Sequence, residues 1–180
     1  MFENIRQDFR ANGSSWGAQG FWALVIYRFG RWRYRVRPAL LRKLFSLIYR
    51  ISFKMVQILT GIELPCEARI GRNFVIDHFG GIIISGFARF GDGCRIRNGV
   101  VVGLRHIDDR RAPFIGDNVE IGAGAKILGP ISIGHNVMIG ANAVVICDVP
   151  NDCTAVGVPA VIRRKFPLDD DLPFESDIAV

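Results

Sequence analysis

Six β-branched aliphatics, Ile115, Ile121, Ile127, Ile133, Ile139 and Val145, follow one another at intervals of six residues. That spacing fits neither a helix, with about 3.6 residues per turn, nor one long strand with its period of 2. It is an internal repeat, and a repeat constrains the fold more than any composition does. Gly116, Gly122, Gly134 and Gly140 each follow a repeat aliphatic directly. One unit is therefore a short strand and a tight turn, the branched side chain pointing inward and the glycine letting the backbone bend or pass close to its neighbour. Three units close a triangular coil of about eighteen residues, and stacked coils make a parallel β-helix in which each rung covers the next. A β-sandwich would instead space its turns about 8–12 residues apart, without holding one register for so long.

With 180 residues the chain has room for a single domain, or one with a small appendage. The longest apolar run near the N-terminus, Phe21 to Tyr27, is far short of a membrane span. No short apolar segment precedes a small-residue cleavage site, so export is not expected. Cys66, Cys94, Cys147 and Cys153 show neither a CxxC pair nor metal-ligand spacing, and read as reduced, mostly buried thiols of a cytoplasmic protein. Charge is segregated. Residues 1–60 carry eleven Lys or Arg against Glu3 and Asp8, a local net of +9, whereas Asp169, Asp170, Asp171, Glu175 and Asp177 crowd the other end.

In chain order, residues 1–60 form a basic amphipathic helical region. A short polar helix is expected from Met1 to about Gly13, broken by Ser14, Ser15 and Gly17. From about Gly20 to Arg35, Phe21, Leu24, Val25, Tyr27, Phe29 and Trp32 interleave with Arg28, Arg31, Arg33 and Arg35. Pro38 punctuates. A second amphipathic stretch runs from about Ala39 to Leu59, with Leu40, Leu44, Leu47, Ile48, Ile51, Met55 and Ile58 near one face. Two readings stand: a helical cap over the open solenoid end with a subunit contact, or a monotopic hold on an anionic membrane surface at the inner face of the membrane. No nucleic-acid reading motif accompanies the charge.

The solenoid is expected over residues 61–165, beginning near Glu63. Ile70, Ile76 and Ile82 keep the period of six; after a two-residue slip Ile84, Phe90, Ile96 and Val102 resume it. Thirteen residues then separate Val102 from Ile115, and the interval 104–113 is polar, with Arg105, His106, Asp108, Asp109, Arg110 and Arg111. An off-period insertion is expelled from the stack as an external loop, and such loops commonly carry function. After Val145 the chain leaves the coil at Asp148-Val149-Pro150, passes through Val156-Gly157-Val158-Pro159 and ends in a basic knot, Arg163-Arg164-Lys165. The acidic tail, 166–180, is expected to be disordered.

The block Ile76-Asp77-His78, the run from Ile121 to Gly129 (IGAGAKILG), the segment Gly140 to Val145 and the close Val156-Gly157-Val158-Pro159-Ala160 together resemble the hexapeptide-repeat acyltransferases, nearest to serine acetyltransferase. The resemblance covers about Gly61 to Arg164. It implies a mainly β fold, a left-handed parallel β-helix against the usual right-handed crossover, behind a short α-helical N-terminal region. It also implies a homotrimer, with a hexamer open, that binds acetyl-CoA between neighbouring solenoids. The short basic N-terminal region is unlike the longer helical domain of serine acetyltransferases, and is more like that of short acetyltransferases of exopolysaccharide gene clusters.

The chemistry is the removal of a proton from a neutral hydroxyl as it attacks a thioester, and an imidazole near neutrality is the suitable base. His78 follows Asp77 off the aliphatic register, hence facing outward, and matches the family's catalytic histidine; its alternative is a surface histidine beside a turn. A base histidine works better when a carboxylate holds its tautomer. The family's aspartate fifteen residues earlier is Glu63 here, close to one coil away, with a solvated strand-edge acid as the alternative. By the same resemblance Asp77 and Arg111 hold the acceptor. The family's second histidine, before a proline, is replaced by Ala112 ahead of Pro113, which counts against free serine. His106 shares that loop, and His135 reads as merely exposed.

Ala123 and Ala141 stand eighteen residues apart, one coil, and so should stack on one edge of the prism beside glycines where larger side chains would close a groove. Both match the family's coenzyme positions, with Gly103 near the thioester end. Lys126, Arg163, Arg164 and Lys165 are placed to meet the coenzyme's phosphates, or are solvated charge at the solenoid's end. The expected function is acetyl transfer from acetyl-CoA, with no metal, to a sugar hydroxyl of a surface polysaccharide or its lipid-linked precursor. Serine O-acetylation is the alternative, and a non-catalytic solenoid scaffold the reading from another class.

Overall fold

Three helices lead into a stack of short strands: α1 (Phe2–Ala11), α2 (Gln19–Arg33) and α3 (Ala39–Thr60). This computed structural model describes residues 2–165, so the acidic tail lies outside the described residues. α1 ends where Gly13 and Ser14 take positive φ. α3 begins after Pro38 and stops at Gly61, whose left-handed φ of 64° lets its N–H reach the Gln57 carbonyl at 2.9 Å. α2 lies between α3 and the solenoid, and its Gly20 packs directly against Ile76.

The strands form three faces. One orders β1 (Ile62–Glu63), β3 (Ile82–Ile84), β6 (Val101–Gly103), β9 (Lys126–Leu128) and β12 (Val144–Val145). The second orders β10 (Ser132–Ile133), β7 (Phe114–Ile115) and β4 (Arg89–Phe90). The third orders β14 (Val161–Arg164), β13 (Cys153–Val156), β11 (Met138–Ile139), β8 (Glu120–Ile121), β5 (Arg95–Arg97) and β2 (Val75–Asp77). All pairings are parallel except β13 with β14, which folds back antiparallel and finishes the third face.

The repeat aliphatics stack in register, one ladder to a face. Ile76, Ile96, Ile121, Ile139 and Ala155 pair in sequence on the third face, Ile84, Val102, Ile127 and Val145 on the first, and Phe90, Ile115 and Ile133 on the second. A second inward row lies two residues earlier, including Phe74, Cys94, Val100, Val119, Ala125, Val137 and Ala143, all fully buried. Each large aliphatic so enclosed contributes about 1.5–3 kcal/mol. Cys66, Cys94 and Cys153 are buried and Cys147 exposed, all as free thiols, and burial pushes the Cys94 thiol up to about 11.

The slip in the repeat has a structural cause. Ile82 and Ile84 both point inward from β3; Ile82 pairs with Ile62 below and Ile84 with Val102 above. Ile76 to Ile84 therefore takes two residues more than the equivalent step from Ile96 to Val102, and the surplus bulges out at the corner holding His78. The interval 104–113 likewise leaves the stack between β6 and β7.

One buried charge pair ties the helices to the first coil. Asp8, fully buried, accepts from Arg28 Nε at 2.8 Å and Nη2 at 3.2 Å, and Arg28 also donates to the Ile70 carbonyl at 3.0 Å and to that of Gly71. A buried ion pair of this kind is tolerated because nearly every lone pair and proton is matched.

Candidate active site

Asp77 closes β2 and His78 turns the corner between the third and first faces, with φ of 61° at His78 and positive φ at Gly80 and Gly81. The exposed imidazole makes no hydrogen bond among the described residues, so both ring nitrogens are free for a substrate. Asp77 accepts from Arg95 Nη1 at 2.8 Å, across one rung. A cavity of about 670 Å³ opens here, walled on one side by Asp77, His78, Phe79 and Arg95 and on the other by Asn12, Gly13, Gly17 and Ala18 of the α1–α2 connection and by the first turn of α2. Asn12 stitches that connection in place: its Oδ1 accepts from Ile76 N–H at 3.2 Å and its Nδ2 donates to the Phe74 carbonyl at 2.9 Å. The helical region is thus one wall of the site as well as a cap. Gly20 was the signal, a residue without a side chain where α2 meets Ile76 of the first coil.

Glu63 is arranged differently from the expected direct pair. Its Oε2 accepts from Gln57 Nε2 at 2.9 Å, and Gln57 Oε1 in turn accepts from Lys54 Nζ at 2.9 Å. No hydrogen bond joins Glu63 to His78 among the described residues. β1 and β2 lie on different faces, and Gln57 of α3 takes the Glu63 carboxylate. Gln57, on α3, could not have been singled out without the tertiary contact.

The edge that carries His78 continues through the later coils. Ala123 and Ala141 lie on it one above the other, with Asn142 N–H donating to the Ala123 carbonyl at 2.8 Å. A Cβ on Gly122 would meet the Ala141 nitrogen at 2.6 Å, so the coils touch through backbone. Arg163 and Arg164 occupy β14, and Lys165 follows, its N–H on the Asp152 carbonyl at 2.9 Å. From β2 to β13 is four rungs, about 19 Å at about 4.8 Å each. Arg164 pairs with Cys153 at the start of β13 and Lys165 is bonded to Asp152, beside His135, so these cations stand toward the opposite edge of the third face from His78. Lys126 is less free: its ammonium donates to the Gly99 carbonyl at 2.6 Å.

Gly103 and the loop bearing Arg111 leave from the opposite edge of the first face. Arg111 is held within its own loop, Nε on Asp109 Oδ1 and Nη2 on Asp109 Oδ2, both at 2.8 Å. These bonds raise the guanidinium's pKa and, with a backbone bond from Arg111, hold the Asp109 carboxyl below its usual range. Ala112 packs against the core, and His106 is exposed in the loop with no hydrogen bond from its ring among the described residues. His135 Nδ1 accepts from the Asp117 N–H at 3.0 Å, at the solenoid edge away from the cavity.

The bacterial transferase hexapeptide (six repeats) family matches residues 112–147. A serine acetyltransferase of Synechococcus elongatus is 44% identical over 167 residues, 89% of this chain and 66% of the relative. One from Helicobacter pylori is 42% identical over 133 residues, 73% of this chain and 78% of the relative. Among solved structures, Brucella abortus serine acetyltransferase in complex with coenzyme A matches with a TM-score of 0.78 at 28% identity, covering 92% of this chain and 68% of that one. The chain spans about two-thirds to three-quarters of the length of these relatives. Its parallel solenoid is accordingly a left-handed β-helix. Repeat and ladder register agree with these likenesses, and the chain belongs to the hexapeptide-repeat transferases of the serine acetyltransferase type.

Proposed function

We propose that the protein is an acetyl-CoA-dependent O-acetyltransferase, with serine as the acceptor to be tested first. The observation that carries the reading is the free His78 imidazole on the same edge as Ala123 and Ala141, beside a cavity large enough for a small hydroxyl compound. His78 takes the hydroxyl proton as the oxygen attacks the thioester carbonyl; the tetrahedral oxyanion is stabilised by backbone N–H groups. Collapse breaks the carbon–sulfur bond and the imidazolium returns its proton to the departing thiolate, so acceptor ester and free coenzyme A leave. Asp77 and Arg111 orient the acceptor, Glu63 acts on His78 once Gln57 releases it, and Gly103, Ala123, Ala141, Lys126, Arg163, Arg164 and Lys165 receive the coenzyme.

A single chain puts the Arg111 loop and His78 on opposite edges of one face. A homotrimer, in which a neighbour's loop meets each His78 edge, supports a complete site and is the assembly proposed. The similarity to serine acetyltransferases favours serine over the expected saccharide acceptor. The saccharide reading keeps one observation, Ala112, half-buried against the core, in the place of the family's loop histidine. Thiol release from acetyl-CoA, measured with serine and with a panel of sugars, tests both: turnover with sugars alone overturns the serine assignment, and none with any hydroxyl overturns the transferase.

No helix among the described residues is long and apolar enough to cross a membrane. Contact with a membrane face is not needed for this reading.

A further inference from the structure

A second cavity, of about 530 Å³, lies on the helical region away from His78, between α2 and the first coil. Arg28, Arg31, Arg35 and Arg69 line it together with the ring of Trp32, and no acidic side chain does. Arg28 is 7% exposed and its charge is matched by Asp8. Of its five N–H donors, four are bonded, to the two Asp8 oxygens and the Ile70 and Gly71 carbonyls, leaving one Nη1 proton unassigned. The other three guanidinium groups have no ion-pair partner among the described residues. Arg31 reaches only the Cys66 carbonyl, at 3.5 Å, and Arg35 and Arg69 make no side-chain hydrogen bond there.

Three arginines without an ion-pair partner among the described residues line one concave site, so their like charges repel and an anion entering it is favoured. Planar forked donors match carboxylate and phosphoryl oxygens alike, and three charges call for more than a single carboxylate. We infer that this cavity is a binding site for a phosphoryl group of two or more negative charges, held by Arg31, Arg35 and Arg69 against Trp32. Buried Arg28 forms the fixed floor, because its pair with Asp8 keeps the guanidinium from moving. The group belongs either to a soluble phosphate ester or diphosphate or to an anionic lipid headgroup, which present the same oxygens.

The test is calorimetric titration of the full chain with inorganic pyrophosphate, at constant ionic strength, for the wild type, R35A/R69A and R163A/R164A. Arg35 and Arg69 are exposed, so circular dichroism should be unchanged by their replacement. The expected result is saturable binding weakened at least about tenfold in R35A/R69A, about 1.4 kcal/mol, and kept in R163A/R164A, with acetyl transfer by R35A/R69A equal to wild type. Binding lost only in R163A/R164A would place the anion in the donor groove and overturn the inference, as would no binding at all. Sedimentation with phosphatidylcholine vesicles, with and without phosphatidylglycerol, separates the sources. Capture by the anionic vesicles that R35A/R69A abolishes assigns the lipid headgroup, and pyrophosphate binding without capture assigns a soluble ligand.

Discussion

Asp77 and Arg95 are joined across one rung of the third face, carboxylate Oδ2 to guanidinium Nη1 at 2.8 Å, with side chains 27% and 43% exposed. So exposed a pair adds little to stability, and its effect is to aim the carboxylate that precedes His78. Asp77→Asn should leave the melting temperature nearly unchanged and raise the acceptor KM about tenfold, with a smaller change in the KM for acetyl-CoA. Steady-state kinetics with each substrate varied in turn checks this.

His78 sits in the left-handed region, which asparagine tolerates and alanine does not. His78→Ala should lose about 10²–10⁴-fold in kcat and also up to about 1 kcal/mol of stability, since alanine is less common than histidine in this region. His78→Asn should lose the activity alone. Turnover by either variant at the wild-type rate would exclude His78 as the base.

Gly122 and Gly103 make a contrasting pair. A Cβ on Gly122 meets backbone of the next coil at 2.6 to 2.9 Å, whereas one on Gly103 finds only Ser85 Cβ, at 3.9 Å. Gly122→Ala should destabilise by about 1–3 kcal/mol, seen as a lower unfolding midpoint in urea. Gly103→Ala should fold normally and raise the KM for acetyl-CoA, since the added methyl projects where the thioester end is proposed to rest.

Arg111 is clamped by Asp109 in a two-bond pair on an exposed loop. Asp109→Ala should loosen the guanidinium and raise the acceptor KM severalfold while kcat changes little, and Arg111→Lys should do the same because a lysine lacks the planar fork. An unchanged acceptor KM in both would remove Arg111 from acceptor binding.

Asp92 accepts from the Arg72 backbone N–H and is paired with its side chain, and these bonds hold its carboxyl below the usual carboxylate range. The folded state then binds this proton less readily than the unfolded chain. The stabilisation is present above the unfolded value and is lost as pH falls through the depressed folded one. Melting temperature should therefore drop on acidification below about pH 4, and more shallowly in Asp92→Asn.

The solenoid was legible before any coordinates, because every coil repeats one local requirement. An aliphatic at Ile121 or Ile139 must point inward, and a turn must follow six residues on. The interruption at 104–113 was visible for the same reason, as a departure from that period. His78 was visible through the motif around it.

The partners of Glu63 and Asp77 were not. Gln57 and Arg95 reach them from another helix and another coil, and nothing in local spacing announces a contact that depends on which rung lies beside which. The two-residue slip could be counted but not interpreted until β3 was seen to turn both Ile82 and Ile84 inward. Periodicity alone determined the stack, since hydrophobic burial acts on each coil in the same way. Tertiary packing alone decided that Asn12 would bring the helices against His78, and that Arg28 and Arg31 of α2, with Arg35 just past its end, would share one cavity with Arg69. Those arrangements depend on how α2 docks on the first coil, a single long-range fit that no repeat encodes.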